Sequence, residues 1–341
     1  MAVLLKHMEE HEPTRYRNTS LDVVKFVAIW MVVWGHCIQH LLSTHPYGER
    51  SYVYLYSFHM PLFVILSGYF SCNSIRKHMG LFSRFRQLII PAIIWMCIHS
   101  LPSLFLHTEQ WKQTLHLEII SSLWFLKCLF ICYTLAYISV IKGPVYVLLS
   151  LVVSQVIFFY KIPTLYPCFL FGLMLGMKSY FDNKVGKATI ISIFCIWFLC
   201  IVFWSSDFLA LPIPHYQMDG VFVKNEAINV YKIIVGITGT LICVWTVQYF
   251  FMVIDNRALS YVKDKVAQIG KFTLDIYILQ FFFLETILSG HVFFDQYNHT
   301  IVVYFFFPLL SLFLVLVCYQ IAYKMSTNRI FSVCMGRKSY N

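Results

Sequence analysis

Long apolar runs alternate with short polar, charged segments along this chain. Most of the runs approach the ~20 residues a helix needs to cross a hydrocarbon core of ~30 Å. Inside lipid every backbone polar group must find its partner within the segment, which makes such runs helices. The pattern therefore predicts an all-α fold, a polytopic membrane bundle of about ten helices. They are placed at 23–42, 52–70, 88–106, 119–141, 145–160, 165–177, 188–204, 233–254, 269–288 and 301–323. The sixth is short for a crossing. Pro91 falls near the start of the third, where a proline costs least. Lys142-Gly143-Pro144 reads as a tight connection, and 205–231, with Pro212, Pro214 and Gly220, as the longest loop of the bundle. No internal repeat stands out.

Composition agrees. Of the 341 residues 59% are hydrophobic and only 12% charged, against roughly 25% charged in soluble domains. The net charge of +10 is spread in small clusters between apolar runs, which argues against nucleic acid as a partner and for the lipid bilayer. With the N-terminus placed in the cytoplasm, 19 of the 26 Lys and Arg fall in inward-facing segments and 5 in outward-facing ones. That bias is the one expected of cytoplasmic loops, and it predicts both termini in the cytoplasm. The division is a tail at 1–20, a ten-helix bundle at 21–323 and a tail at 324–341, all one domain. The first apolar run lacks a small-residue cleavage site and is expected to be a retained span. The eleven cysteines lie mostly in apolar runs without metal-ligand spacing, so they read as small buried side chains, and no metal is expected.

Against this background the ionisable residues inside the spans carry the chemical interest. Lys25 and His36 are eleven residues apart, close to a whole number of helical turns, so both project from one face. The axial separation is ~16 Å, which sets His36 near mid-membrane when Lys25 is at the interface. A titratable group at that depth is either packing glue between helices or part of a functional site. His40 follows one turn further out. His59 enters the second span ~10 Å from the outer surface and is either a cap before Pro61 or a site residue. Lys127 is placed to snorkel. Asp275, two residues before Tyr277, needs a cation, and Lys25 is at comparable depth. Nothing resembles a Gly-x-Ser-x-Gly elbow, a His-Glu-x-x-His metal site or a phosphate-cradling glycine loop, which argues against a triad hydrolase and an ATP-driven pump.

The same residues resemble the acyltransferase 3 family of integral-membrane O-acyltransferases. Leu21-Asp22-Val-Val-Lys25 followed by Gly35-His36 looks like its opening motif, with lysine where arginine is frequent. Phe58-His59-Met60-Pro61-Leu62-Phe63 with Ser67-Gly68-Tyr69 is similar to its second-span motif. Arg84-Phe-Arg86 leading to Pro91, Leu123-Trp124-Phe125-Leu126, and Ile269-Gly270 through Asp275 and Tyr277 to Gln280 resemble three more, in order, across about 260 residues. The last commonly ends in histidine; Gln280 stands there instead, so no proton-transfer role is assigned to it.

What the resemblance implies is transfer of an acyl group, usually acetyl, from cytoplasmic acyl-CoA to a hydroxyl of a cell-surface or lipid-linked glycan, within polysaccharide biosynthesis at the cell membrane. The acceptor hydroxyl needs a base, and neutral His36 suits that role. Acetyl-CoA carries phosphates, and Lys25, Arg84 and Arg86 supply a basic rim on the cytoplasmic side, although positive-inside anchoring alone would also place arginines there. Gly68 admits a helix or substrate close to the backbone. His59 and Trp124 are candidates for positioning the sugar or the acyl group, as are Asp275 and Tyr277. Direct transfer is favoured over a relay through an acyl-histidine or a second carrier. No appended soluble domain is expected, and acceptor specificity is therefore expected from spans and loops. Two other classes compete. One is a transporter or flippase for a sugar-linked lipid, whose intramembrane charges would line a pathway; the other is a glycan polymerase, for which the 205–231 loop is short.

Overall fold

A computed structural model describes residues 18–43, 46–77, 80–106, 123–157, 161–183, 185–210, 221–253, 257–288, 294 and 297–336. Among these residues the regular structure is entirely helical. In chain order the helices are α1 (Thr19–Leu41), α2 (Arg50–Arg76), α3 (Leu81–Leu106), α4 (Trp124–Lys142), α5 (Pro144–Val156), α6 (Ile162–Met177), α7 (Lys187–Val202) and the short α8 (Asp207–Ala210). There follow α9 (Val221–Val253), α10 (Arg257–Gly270), α11 (Thr273–Phe281, continued as π-helix over Phe282–Leu288), α12 (His299–Ser326) and α13 (Arg329–Cys334).

Among the described residues six helices are long and apolar enough to cross a membrane, namely α1 to α4, α9 and α12. They overlap the predicted first, second, third, fourth, eighth and tenth spans; α9 starts at Val221, inside the expected 205–231 loop, of which residues 211–220 lie outside the described residues. The fifth, sixth and seventh are the shorter apolar helices α5 to α7. The ninth is broken. Ile269 and Gly270 end α10, which is amphipathic and polar, and the span restarts at Thr273. Part of the expected 255–268 loop is thus helix. So is the start of α3, which begins seven residues before the predicted span and carries Arg84 and Arg86 on helix instead of loop.

Local chemistry sets several of these boundaries. The Asn18 side chain accepts from the backbone N–H of Ser20 at 3.1 Å and caps α1; Asp22 in the first turn suits the helix dipole. Gly143 at φ +117° lets the chain turn between α4 and α5, and Pro144 opens the new helix where its missing N–H is not needed. Leu123 and Lys161 take left-handed conformations just before α4 and α6.

The centre of the bundle is α1 and α2, flanked most extensively by α6, α9, α10 and α12. Against α6 the contact is backbone to backbone. A Cβ on Gly68 would run into the carbonyl of Phe169, and one on Gly172 into the carbonyl of Ile65. Small residues allow such approach in a membrane, where packing takes over from the hydrophobic effect as the driving force.

Candidate active site

Along α1, Lys25, Ile29, Val32 and His36 follow at intervals of four, three and four residues, one continuous helical stripe. The first three of them line a cleft. Its inner part, about 650 Å³ of empty space, is bounded by Lys25, Phe70, Arg84, Tyr133 and Phe169. An adjoining part of about 680 Å³ reaches Ile29, Val32, Met60, Phe125 and Tyr277. Both parts share Phe63, Ser67, Arg84, Leu129 and Thr273, so the two run together. From Lys25 to Val32 is ~10 Å along the axis, and His36 stands one turn beyond, ~6 Å further. Five other helices close the walls, α6 with Phe169 and four more. α2 contributes Met60, Phe63 and Ser67, α3 Arg84, α4 Phe125 and Leu129, and α11 Thr273 and Tyr277.

Charge gathers at the Lys25 end of the cleft and apolar surface along the rest of it. Lys25 donates from Nζ to Asp22 Oδ1 at 3.0 Å, one turn back on the same helix, and lies 3.9 Å from the centre of the Phe70 ring. The carboxylate is buried at 3% exposure while the lysine keeps 21%. Asp22 is thus one acid that holds Lys25. The Arg84 guanidinium lies 5.0 Å from the Tyr133 ring centre and gives one hydrogen bond, Nη1 to Gln87 Oε1 at 2.8 Å. A guanidinium has five N–H donors, so among the described residues most of the fork stays available to an anion entering the cleft.

His36 sits at the far end. Its Nδ1 is 3.0 Å from Oε1 of Gln280, and the Gln280 Nε2 donates to the Tyr277 carbonyl at 3.1 Å. Gln280 itself is fully buried. Tyr277 lies 5.8 Å from Phe125, and Phe125 6.0 Å from Phe63, ring centre to ring centre, an aromatic collar below the histidine. One turn further along α1 the His40 ring meets that of His36 edge-on at 6.0 Å. Tyr52 and Tyr56 stack at 4.0 Å and both donate to Gln39 Oε1 at 3.4 Å. His59 is buried, with Nδ1 2.6 Å from the Leu55 carbonyl and its ring 4.4 Å from Tyr56. Tyr56 in turn packs on Gly35, beside His36.

The structure brings Lys25, Arg84 and Tyr277 to one cleft, and His36 stands one turn of α1 beyond its lining residue Val32. Arg86 does not line that cleft; two residues past Arg84 its side chain leaves the helix on nearly the opposite side. Gly68 serves the α2–α6 contact, a helix at its backbone. Trp124 is the first residue of α4, edge-on to Phe125 at 6.0 Å, so its neighbour forms the collar. Asp275 is buried at 4% exposure on α11, two residues from the cleft-lining Thr273 and Tyr277. Sequence reasoning passed over Phe125, Thr273 and the contact of Gln280. A carboxamide within an apolar run needs a partner, and that was the available signal. Among the described residues no cluster of three or more His, Cys, Asp or Glu could hold a metal ion.

Comparison with known proteins supplies the family. A family model described as an acyltransferase domain, acyltransferase 3, matches residues 18–320. Two relatives are nodulation proteins NolL. That of Mesorhizobium japonicum is 24% identical over 315 residues, covering 82% of this chain and 80% of the relative. That of Sinorhizobium fredii is 22% identical over 295 residues, covering 77% of each. No solved structure matches. The match runs from the cap of α1 into α12, across every wall of the cleft, and this chain belongs to the acyltransferase 3 family of multi-pass membrane acyltransferases.

Proposed function

We propose that the protein moves an acetyl group from cytoplasmic acetyl-CoA to a hydroxyl of a cell-surface or lipid-linked glycan, with His36 as general base. One observation carries the reading. A cleft with Lys25 and Arg84 at its mouth follows a single face of α1 towards a histidine held in place by a buried amide. The phosphates of the donor meet the guanidinium of Arg84 and the ammonium of Lys25 at the inner surface. The thin pantetheine arm, apolar for much of its length, lies between Phe63, Leu129 and Tyr277 and delivers the thioester to His36. The acceptor hydroxyl comes from the outer side, past Tyr56, His59 and His40. His36 takes the hydroxyl proton as the oxygen attacks the thioester carbonyl. The new C–O bond forms, the C–S bond breaks, and the proton held by His36 passes to the departing sulfur. Direct transfer needs no acyl-enzyme.

This reading rests on a chain that crosses the plasma membrane about ten times with both termini in the cytoplasm, as a single domain. The short helices α5 to α7 and the interrupted α11 complete the count. The positive-inside distribution supports it, and it puts Lys25 and Arg84 on the side where acyl-CoA is made.

Purified protein in detergent or nanodiscs, given acetyl-CoA labelled in the acetyl group and cell-envelope glycan or lipid-linked sugar, is expected to move label to the glycan in an alkali-labile ester. Release of free CoA thiol should accompany it. A transporter or flippase would do neither, and absence of both reactions with well-folded protein would end the proposal.

A further inference from the structure

We infer that Gln280 fixes His36 in the tautomer with its hydrogen on Nδ1 and its lone pair on Nε2. Gln280 is then a positioning residue for the transfer. The inference rests on His36 being the base and adds how that base is prepared.

A backbone carbonyl only accepts, so the Gln280 atom facing the Tyr277 carbonyl at 3.1 Å is the amide nitrogen. The other terminal atom of that planar amide is oxygen, and it faces His36 Nδ1 at 3.0 Å. Oxygen of an amide only accepts, so Nδ1 must bring the hydrogen. A neutral imidazole has one N–H, which leaves Nε2 with the lone pair. Rotating the amide by half a turn would set oxygen against the Tyr277 carbonyl. Because Gln280 is fully buried, water is not at hand to repair that loss, and an unsatisfied buried polar group costs ~1–3 kcal/mol.

Both contacts come from one face of one helix. Tyr277 and Gln280 are three residues apart on α11, and Thr273 and Tyr277 line the cleft. The element that walls the donor path therefore also sets the ring that would receive the proton. A glutamine does this without a charge of its own, and it cannot take up the proton.

Two measurements test the inference. The first uses the intact wild-type protein with ¹⁵N-labelled histidine, and the His36 signals are identified by their loss in His36→Gln. The expected spectrum at a pH where the ring is neutral shows a protonated Nδ1 and an unprotonated Nε2; the reverse overturns the inference. The second compares steady-state kinetics of wild type and Gln280→Met, which keeps length and volume but offers no acceptor. Partners that orient metal-bound histidines are typically worth ~10–100-fold; by the same orienting logic a fall of that order in kcat is expected here, with KM for acetyl-CoA unchanged. A Gln280→Met enzyme with wild-type kcat overturns the positioning role. The His36→Gln control separates the two ideas. If His36→Gln is inactive while Gln280→Met is normal, only the role of Gln280 falls; if His36→Gln is active, the base assignment itself falls.

Discussion

Gly270 packs directly on the backbone carbonyl of Asp22, so closely that no Cβ fits between them. This contact joins the end of α10 to the first turn of α1, two segments 248 positions apart in the chain. It also orders the Lys25 end of the cleft, because Asp22 holds Lys25 at 3.0 Å and Thr273, three residues past Gly270, lines the same cleft. Gly270→Ala is therefore expected to push the helices apart. Overpacking of this kind costs about 1–3 kcal/mol. The check is the melting temperature of the detergent-solubilised protein together with its affinity for acetyl-CoA, and both should fall. A variant with wild-type melting and affinity would show that the contact is slack.

Arg84 and Arg86 provide an internal comparison. Only Arg84 faces the cleft, over Tyr133, so only Arg84→Ala should weaken donor binding strongly. Hydrogen bonds to charged groups are worth ~1.5–3 kcal/mol, which corresponds to roughly 10–100-fold in Kd. A donor truncated to acetyl-pantetheine, lacking the nucleotide phosphates, should bind Arg84→Ala and wild type about equally. Arg86→Ala should change Kd by less than about threefold. Equal effects of the two alanines, read by calorimetry or by competition with labelled donor, would return Arg84 to the class of topology anchors.

The two arginines also show what the sequence made legible. Apolar length and charge bias located a helix at each expected position, because lipid leaves the backbone no other choice. The Lys25–His36 stripe was readable for the same reason, being set by the period of one helix. Relations between helices were not. Gln280 meets His36 across 244 positions, and no local rule specifies which of the neighbouring helices supplies the partner. One ion pair of Lys25 was local and readable, since Asp22 lies three residues before it. The helix α10 was hidden by its polarity, as Arg257, Lys263 and Lys265 resemble loop charge until their spacing is set against a helical face. Gly68 showed that something approaches the backbone closely without showing that it is α6.

Topology offers an independent check. A reporter fused after Asp219 is expected on the outer side of the membrane, and reporters after Asn183 or at the C-terminus on the cytoplasmic side. The expectation follows from the basic residues that flank α2, α3, α6 and α10. An Asp219 fusion that reports from the cytoplasm would reverse the cleft. Lys25 and Arg84 would then face away from the acyl-CoA pool, and the donor site would have to be sought at the other end.

The sharpest prediction concerns His36 and pH. Its neutral form takes the proton, so protonating Nε2 removes the lone pair that the acceptor hydroxyl needs. Turnover at saturating donor should therefore be lost as pH falls through the titration of His36 and should level off above it. General acid–base catalysis is typically worth ~10²–10⁴-fold, and His36→Ala should lose that much in kcat. His36→Gln retains a polar side chain of similar reach but accepts no proton at catalytic pH. It should reach the membrane at wild-type levels, bind acetyl-CoA normally through Lys25 and Arg84, and still fail to acetylate. Any residual rate should lack the acid-side fall seen in wild type, since the titrating group is gone. Were the histidine only bridging α1 to Gln280 on α11, the glutamine variant would restore a hydrogen bond there and acetylate at the wild-type rate. Glycan acetylation in cells, normalised to protein in the membrane, distinguishes the two, and His59 is the residue to examine next if the variant is active.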